Sequence, residues 1–519
     1  MNPIELKLFS SRVSAICDEM GTALRRTAFS PNIKDRLDFS CALFSTNGKL
    51  FAQAAHIPVH LGSMAFAMES IIENRQWRSG DMLVLNDPYL GGTHLPDVTL
   101  IAPVFVDNER SLLGFVANRA HHANIGCDTP GSMPISSSLE EEGLIIPPTL
   151  LFKSGQLQQQ ALALLQIQGD SLSGDFAAQA GTNTLGVQRL QTLLTTMSID
   201  DYQKGMEELN DYADRITANT IAGLQVGEYR FTDYLDDDGC GQSNIKLALT
   251  LRIKPDSLEL DFRDSSDQVT GNLNCPESVV AAAAFYCVRC LLPEESPACE
   301  GLFRRINLQT RAGSIVNANR PAAVAAGNVE TSSRLVDLVF GALAKALPDR
   351  IPAASQGTMN NVAMGYIDDE TGSRWDYYET LAGGIGGGPT TEGRDAVHSH
   401  MTNTLNTPIE SLEMHYPLRV HRYAVRRGSG GVGKHSGGAG IVREYEFLDH
   451  AQLTLLSERR LVSPWGLNEG GDGMRGRNSL NGEALPGKCS VAVKKGDRLL
   501  IETPGGGAWG EPTNLKSPN

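Results

Sequence analysis

Glycine constrains this chain more than any other residue. Fifty-three of the 519 residues are glycine, about a tenth, against ~7% in ordinary proteins. The excess is gathered in runs: Leu90-Gly91-Gly92-Thr93, SGGVGKHSGGAG from Ser429 to Gly440, and Thr503-Pro504-Gly505-Gly506-Gly507. Glycine weakens helix and strand interiors and suits turns and close backbone contacts. The last hundred residues therefore read as Gly-rich strands and turns.

Upstream, the apolar period sets the expectations. Ile4, Leu8, Val13, Ile16, Met20 and Leu24 predict an amphipathic helix over 4–26. Asp38–Phe44 reads as a strand, turned at Asn47-Gly48 into 49–54. A helix is expected at Met64–Ile72, and strands at 82–85, 98–106 and 112–117. Residues 171–224 contain no proline and read as two helices, 173–197 and 199–223. From 227 the pattern alternates, as in Tyr229-Arg230-Phe231-Thr232-Asp233-Tyr234, which signals strands, with helices at 279–292 and 332–347 between them. The expected fold class is mixed α/β and α+β, multi-lobed. It comprises an N-terminal α/β lobe (1–170), a helical pair (171–225), a mixed β-rich lobe (226–420) and a Gly-rich β lobe (421–519).

Lys plus Arg is 45 and Asp plus Glu is 60, a formal net charge of −15. That balance argues against nucleic acid or an anionic membrane surface as partner. No run of ~18 apolar residues is present, and the first twenty residues lack the apolar core of a signal peptide. Nine cysteines at 17, 41, 127, 240, 275, 287, 290, 299 and 489 form no disulfide framework, so a cytoplasmic location is expected.

Histidine is unevenly placed. Five of eleven (56, 60, 94, 121 and 122) fall within a 67-residue window. The sharpest segment is Asn86 to Asp97, NDPYLGGTHLPD. Pro96 pushes Leu95 toward extended geometry, so His94 and Asp97 lie on a turn before a strand, where an imidazole and a carboxylate can be aimed at one point. Asp87, before Pro88, has the structural role of capping that turn. His121 and His122 follow a strand; if the chain stays extended, they point to opposite faces and only one can join His94 and Asp97. Asp38 opens its own strand. Two carboxylates with two imidazoles suit one divalent transition metal, Zn²⁺ first, Mn²⁺ or Fe²⁺ next. Such an ion lowers the pKa of bound water to ~7.

Two motifs are decoys. Gly428-Ser429-Gly430-Gly431-Val432-Gly433-Lys434 fits a phosphate loop, but His435 stands where the Mg²⁺-binding hydroxyl belongs. Cys287-x-x-Cys290 sits in an apolar helical run with no second pair nearby and reads as packing.

Taken together, these segments resemble the hydantoinase B/oxoprolinase family nearly end to end. The resemblance is carried by SPNIKDRLDFS (30–40), HIPVHLGSM (56–64), NDPYLGGTHLPD, NRAHHANIG (118–126), PGSMP (130–134), NVETS (328–332), NTPIE (406–410), the SGGVGKHSGGAG run and TPGGGAWG (503–510). The family usually has Asp and Gly-Gly where this chain has Asn124 and Gly126-Cys127. The resemblance implies metal ligands Asp38, His94, Asp97 and His121, with His122 and His60 as candidate proton carriers. It implies an actin-like, ATP-using hydantoinase A/oxoprolinase-type partner subunit, which holds ATP and Mg²⁺, in a hetero-tetramer or larger. The implied reaction is opening of a small cyclic amide (hydantoin, oxoproline or lactam), its amide oxygen phosphorylated on the partner and the activated ring met by metal-bound hydroxide. The alternative implied by the same resemblance is a subunit of a ketone carboxylase.

Overall fold

The computed structural model describes residues 1–512 apart from 55–56, 74, 107–110, 173 and 368–373, and the side chain of Leu61. His56, one of the five clustered histidines, lies outside the described residues. Among the described residues the fold is built from four sheets and the helices between them.

The N-terminal sheet has seven strands: β1 (Phe39–Phe44), β2 (Leu50–Gln53), β3 (Met82–Leu85), β4 (Asp97–Val106), β5 (Ser111–His121), β6 (Thr149–Lys153) and β7 (Gln156–Leu157). Their order is β2-β1-β5-β4-β3-β6-β7, and every pairing is antiparallel. Side chains alternate between its faces. Cys41, Leu43, Val98, Leu100, Val116 and Ala120 pack on one side with helices Pro3–Thr27 and Gly174–Leu193. Ala42, Phe44, Ile101, Phe115 and Ala117 pack on the other, under Met64, Met68 and Ile71 of helix Pro58–Ile72. Helix Glu277–Arg289 lies against that helix so closely that a Cβ on Gly62 would sit 2.7 Å from Ala282 Cα.

Several boundaries differ from expectation: the helix predicted over 173–197 ends at Leu193 and the one predicted over 279–292 spans Glu277–Arg289, and two of the differences bear on the site. The helix predicted to begin at Met64 begins at Pro58; proline at the first helical position is favourable, since its missing N–H has no partner there anyway. The strand predicted to stop at Ala117 runs to His121. Asn118 and Arg119 interrupt its apolar pattern, but both are buried against polar partners.

The second sheet (Gly227–Asp237, Ser243–Ile253, Leu258–Asp261, Ile306–Gln309) shares its core with helices Glu277–Arg289 and Ser332–Ala346. The last two sheets form a sandwich. Val362, Met364 and Tyr377 of one meet Leu418, Ile441 and Tyr445 of the other. Beside the sandwich the glycine runs pack backbone against backbone. A Cβ on Gly437 would lie 1.9 Å from Gly506 O, and one on Gly430 1.9 Å from Gly437 O. The Gly428–Lys434 segment leads into strand Gly440–Phe447 and not a helix, so it lacks the helix N-terminus that a phosphate loop uses. No helix among the described residues is long and apolar enough to cross a membrane.

Candidate metal centre

Register and pleat bring the site together. Asp97 opens β4 and pairs directly with His121 at the end of β5. Residues 97, 99 and 101 share the face under helix Pro58–Ile72, as do 117, 119 and 121. Asp38, just before β1 and beside β5, places Oδ2 4.0 Å from His121 Nδ1. His94 comes from the turn that Asp87 caps through Tyr89 N, and His60 from the first turn of the helix above.

The ligand atoms converge on Asp97. Its Oδ1 is 3.1 Å from His94 Nε2 and 3.2 Å from His121 Nδ1. One atom from each of His94, Asp97 and His121 can be chosen so that all lie within 4.8 Å of one another, and all three residues are buried. His94 Nδ1 donates to Ala325 O at 3.1 Å, which leaves Nε2 as a lone pair in the neutral ring. That lone pair faces a carboxylate oxygen, yet neither His94 Nε2 nor Asp97 Oδ1 has a hydrogen-bond partner. Two buried acceptors this close call for a cation between them. Atoms bound to one tetrahedral Zn²⁺ at 2.0–2.1 Å stand about 3.3 Å apart, which matches these spacings. The cavity they line encloses about 20 Å³, room for roughly one water or ion.

Electrostatics agree. Burial opposes the Asp97 charge, but His94, His60 and His121 outweigh it and hold the carboxyl well below the ordinary carboxylate range. Burial also opposes a charged His94, but Asp97 prevails and its pKa rises; the site favours a positive charge at that point. Burial pulls His121 and His122 down, leaving neutral rings.

His60 joins the cluster. Its Nε2 lies 3.3 Å from Asp97 Oδ2 and its Nδ1 3.1 Å from Ser40 Oγ. His122 does not. It points to the opposite face of the sheet, where Nε2 donates to Gln179 Oε1 at 2.8 Å and the ring lies 4.5 Å from Phe176. Gln179 in turn donates to Val98 O and Asn118 Oδ1, so His122 belongs to a network that ties down the strand ends.

Other residues, none of them expected at the site, surround it. Tyr378 stacks on His121 at 5.0 Å with 8° between the planes. Thr93 donates to Asp97 Oδ2 at 2.6 Å and Asn328 at 3.3 Å; Asn328 lies in a π-helical turn, Gly327–Thr331, a geometry frequent at functional sites. Glu142 Oε1 accepts from Val324 N and Ala325 N at 2.9 Å, fixing the carbonyl that holds His94. Burial pushes the Glu142 carboxyl up to about 7. Thr93 lies in the NDPYLGGTHLPD segment and Asn328 in NVETS, whereas Tyr378 and Glu142 lie outside every segment that carries the resemblance.

The arrangement is a buried His/Asp group with the spacing to hold a metal ion, set on an antiparallel sheet and completed by residues of the β-rich second half. The chain belongs to the hydantoinase B/oxoprolinase family, which it matches over residues 2–512. An uncharacterised protein of Methanocaldococcus jannaschii is 40% identical over 527 residues, covering 99% of this chain and 91% of that one. The 5-oxoprolinase 1 of Arabidopsis thaliana is 40% identical over 546 residues; the match covers 98% of this chain but only 42% of the plant protein. Among solved structures, the ATP-dependent caprolactamase of Pseudomonas jessenii superposes with a TM-score of 0.90 at 26% identity, over 98% of this chain and 91% of that one. Acetone carboxylase shares the fold, with a TM-score of 0.86 at 17% identity over 99% of this chain and 76% of that one.

Proposed function

We propose that this chain is the ring-opening subunit of an ATP-dependent cyclic amidohydrolase acting on a hydantoin, oxoproline or lactam. The observation that carries the reading is the convergence of His94 Nε2, Asp97 Oδ1 and His121 Nδ1 without hydrogen bonds among them, in a family whose members include 5-oxoprolinases. Asp38 is the fourth ligand, and Zn²⁺ the favoured ion, Mn²⁺ or Fe²⁺ following. When bound, the ion supplies Lewis acidity and makes hydroxide available near pH 7.

The ring amide is a poor electrophile, so it is activated first, by phosphorylation of its oxygen on an ATP-using partner subunit. The 42% coverage of the plant 5-oxoprolinase supports a division of labour with protein outside this chain, in a hetero-tetramer or larger. Here a water oxygen adds to the activated carbon, the ring C–N bond breaks, the nitrogen takes a proton, and a second water releases phosphate. His60 is placed to carry that proton. Ser40 Oγ accepts from Ile57 N and offers its hydrogen to Nδ1, leaving Nε2–H toward Asp97 at the cavity wall. Ile57, Val59, Met359 and Met401 line the rest of the cavity with apolar surface that excludes bulk water from the reacting atoms.

Product analysis tests this. The chain is co-expressed with its partner, supplied with ATP and a panel of cyclic amides, then with ketones plus bicarbonate. ATP-dependent ring-opened product is expected. Carboxylated ketone instead, or ring opening without ATP, would contradict it.

A further inference from the structure

The fully buried Arg119 has three neutral acceptors. Nε donates to Thr99 Oγ1 at 2.8 Å, Nη1 to Ser63 Oγ at 2.7 Å and Nη2 to Gly91 O at 2.9 Å. Each acceptor belongs to a segment that delivers a residue of the centre. Thr99 lies two residues after Asp97 on β4. Ser63 lies one turn after His60 on the helix. Gly91 lies in the turn that ends in Thr93 and His94. Arg119 itself lies two residues before His121 on β5, on the same face, opposite Thr99.

We infer that Arg119 is a positioning residue that locks the four segments carrying His60, His94, Asp97 and His121 into the geometry that holds the ion. This rests on the metal reading proposed above. A buried charge held only by neutral oxygens is costly, so the side chain is poorly explained as packing. Its planar fork presents donors in fixed directions, which a lysine ammonium does not. Nearby charge alone predicts the opposite effect: removing a cation beside the site would make a dication bind more tightly.

The test measures Zn²⁺ affinity of the purified chain by chelator competition, and the visible spectrum of the Co²⁺-loaded chain, for wild type, Arg119→Met, Arg119→Lys and the near-isosteric Thr99→Val. Both Arg119 variants should bind Zn²⁺ ~10–100-fold more weakly, the range for losing a residue that orients a ligand, with shifted Co²⁺ bands. Thr99→Val should shift both readouts in the same direction by less, and it decides the matter if the Arg119 variants do not fold. Unchanged affinity and spectra, or tighter binding by Arg119→Met, would overturn the clamp while leaving the metal centre standing. A wild-type chain that binds no Zn²⁺ would overturn the metal reading and the clamp with it.

Discussion

Two glycine-rich stretches of this chain look alike as sequence and work in opposite ways. Leu90-Gly91-Gly92-Thr93 frees a turn to deliver chemistry: Gly91 sits at φ +106°, a Cβ on Gly92 would lie 2.2 Å from Asn86 O, and the turn ends in Thr93 and His94 beside Asp97. The Ser429–Gly440 run delivers none. Its glycines let backbones stack, with Gly437 against Gly506 and Gly438 against Arg394. A glycine run thus reports close backbone approach, and its neighbours decide the purpose. Where histidine, threonine and aspartate follow, the backbone is aiming side chains. Where further glycines lie opposite in space, as Gly506 does against Gly437, the backbone is itself the packing unit.

The comparison can be broken by substitution. Gly437→Ala places a methyl group against Gly506 O and should cost about 3 kcal/mol or more of stability, read by urea denaturation, while the folded fraction keeps its metal. Little loss of stability would show that the stack is loose.

Glu142 sharpens the other region. Its folded pKa of about 7 lies above the ordinary value of ~4.3, so the native state keeps a proton that the unfolded chain has lost. The contribution of this carboxyl is therefore fullest below pH ~4.3, falls as pH rises toward 7 and is level above it, a loss of at most about 4 kcal/mol. Glu142→Gln should flatten that window in urea denaturation at successive pH values. An unchanged slope would place the titration elsewhere.

The paired histidines offer a smaller effect. His122→Ala leaves Gln179 Oε1 buried without its donor and should cost about 2 kcal/mol with metal content intact, whereas His121→Ala should lose metal. Equal metal loss in both would contradict the two-faced placement. The smallest expected signal is none: calorimetry of the isolated chain with ATP and Mg²⁺ should show no binding. A micromolar dissociation constant would make the Gly428–Gly440 run a phosphate site.

Part of the expected site came from local signals, and part (Asp38, His60 and the choice of His121) from the family resemblance. Clustered histidines and the HLPD turn marked His94 and Asp97, and strand alternation separated His121 from His122. Arg119, Tyr378, Asn328 and Glu142 carried no such mark, because their roles depend on partners that only the folded chain brings near. Tyr378 meets His121 across 257 positions, and Arg119 reaches one acceptor on each of three elements. The missed end of β5 has the same cause: polar residues there read as the end of a strand, and the fold buries them with polar partners.

Elemental analysis of the purified chain tests the central claim most directly. Wild type should carry about one equivalent of a divalent transition metal, as a single buried His/Asp site requires, and His94→Ala and Asp97→Ala should carry almost none. Full metal content in both variants would place the ion elsewhere and contradict the centre described here.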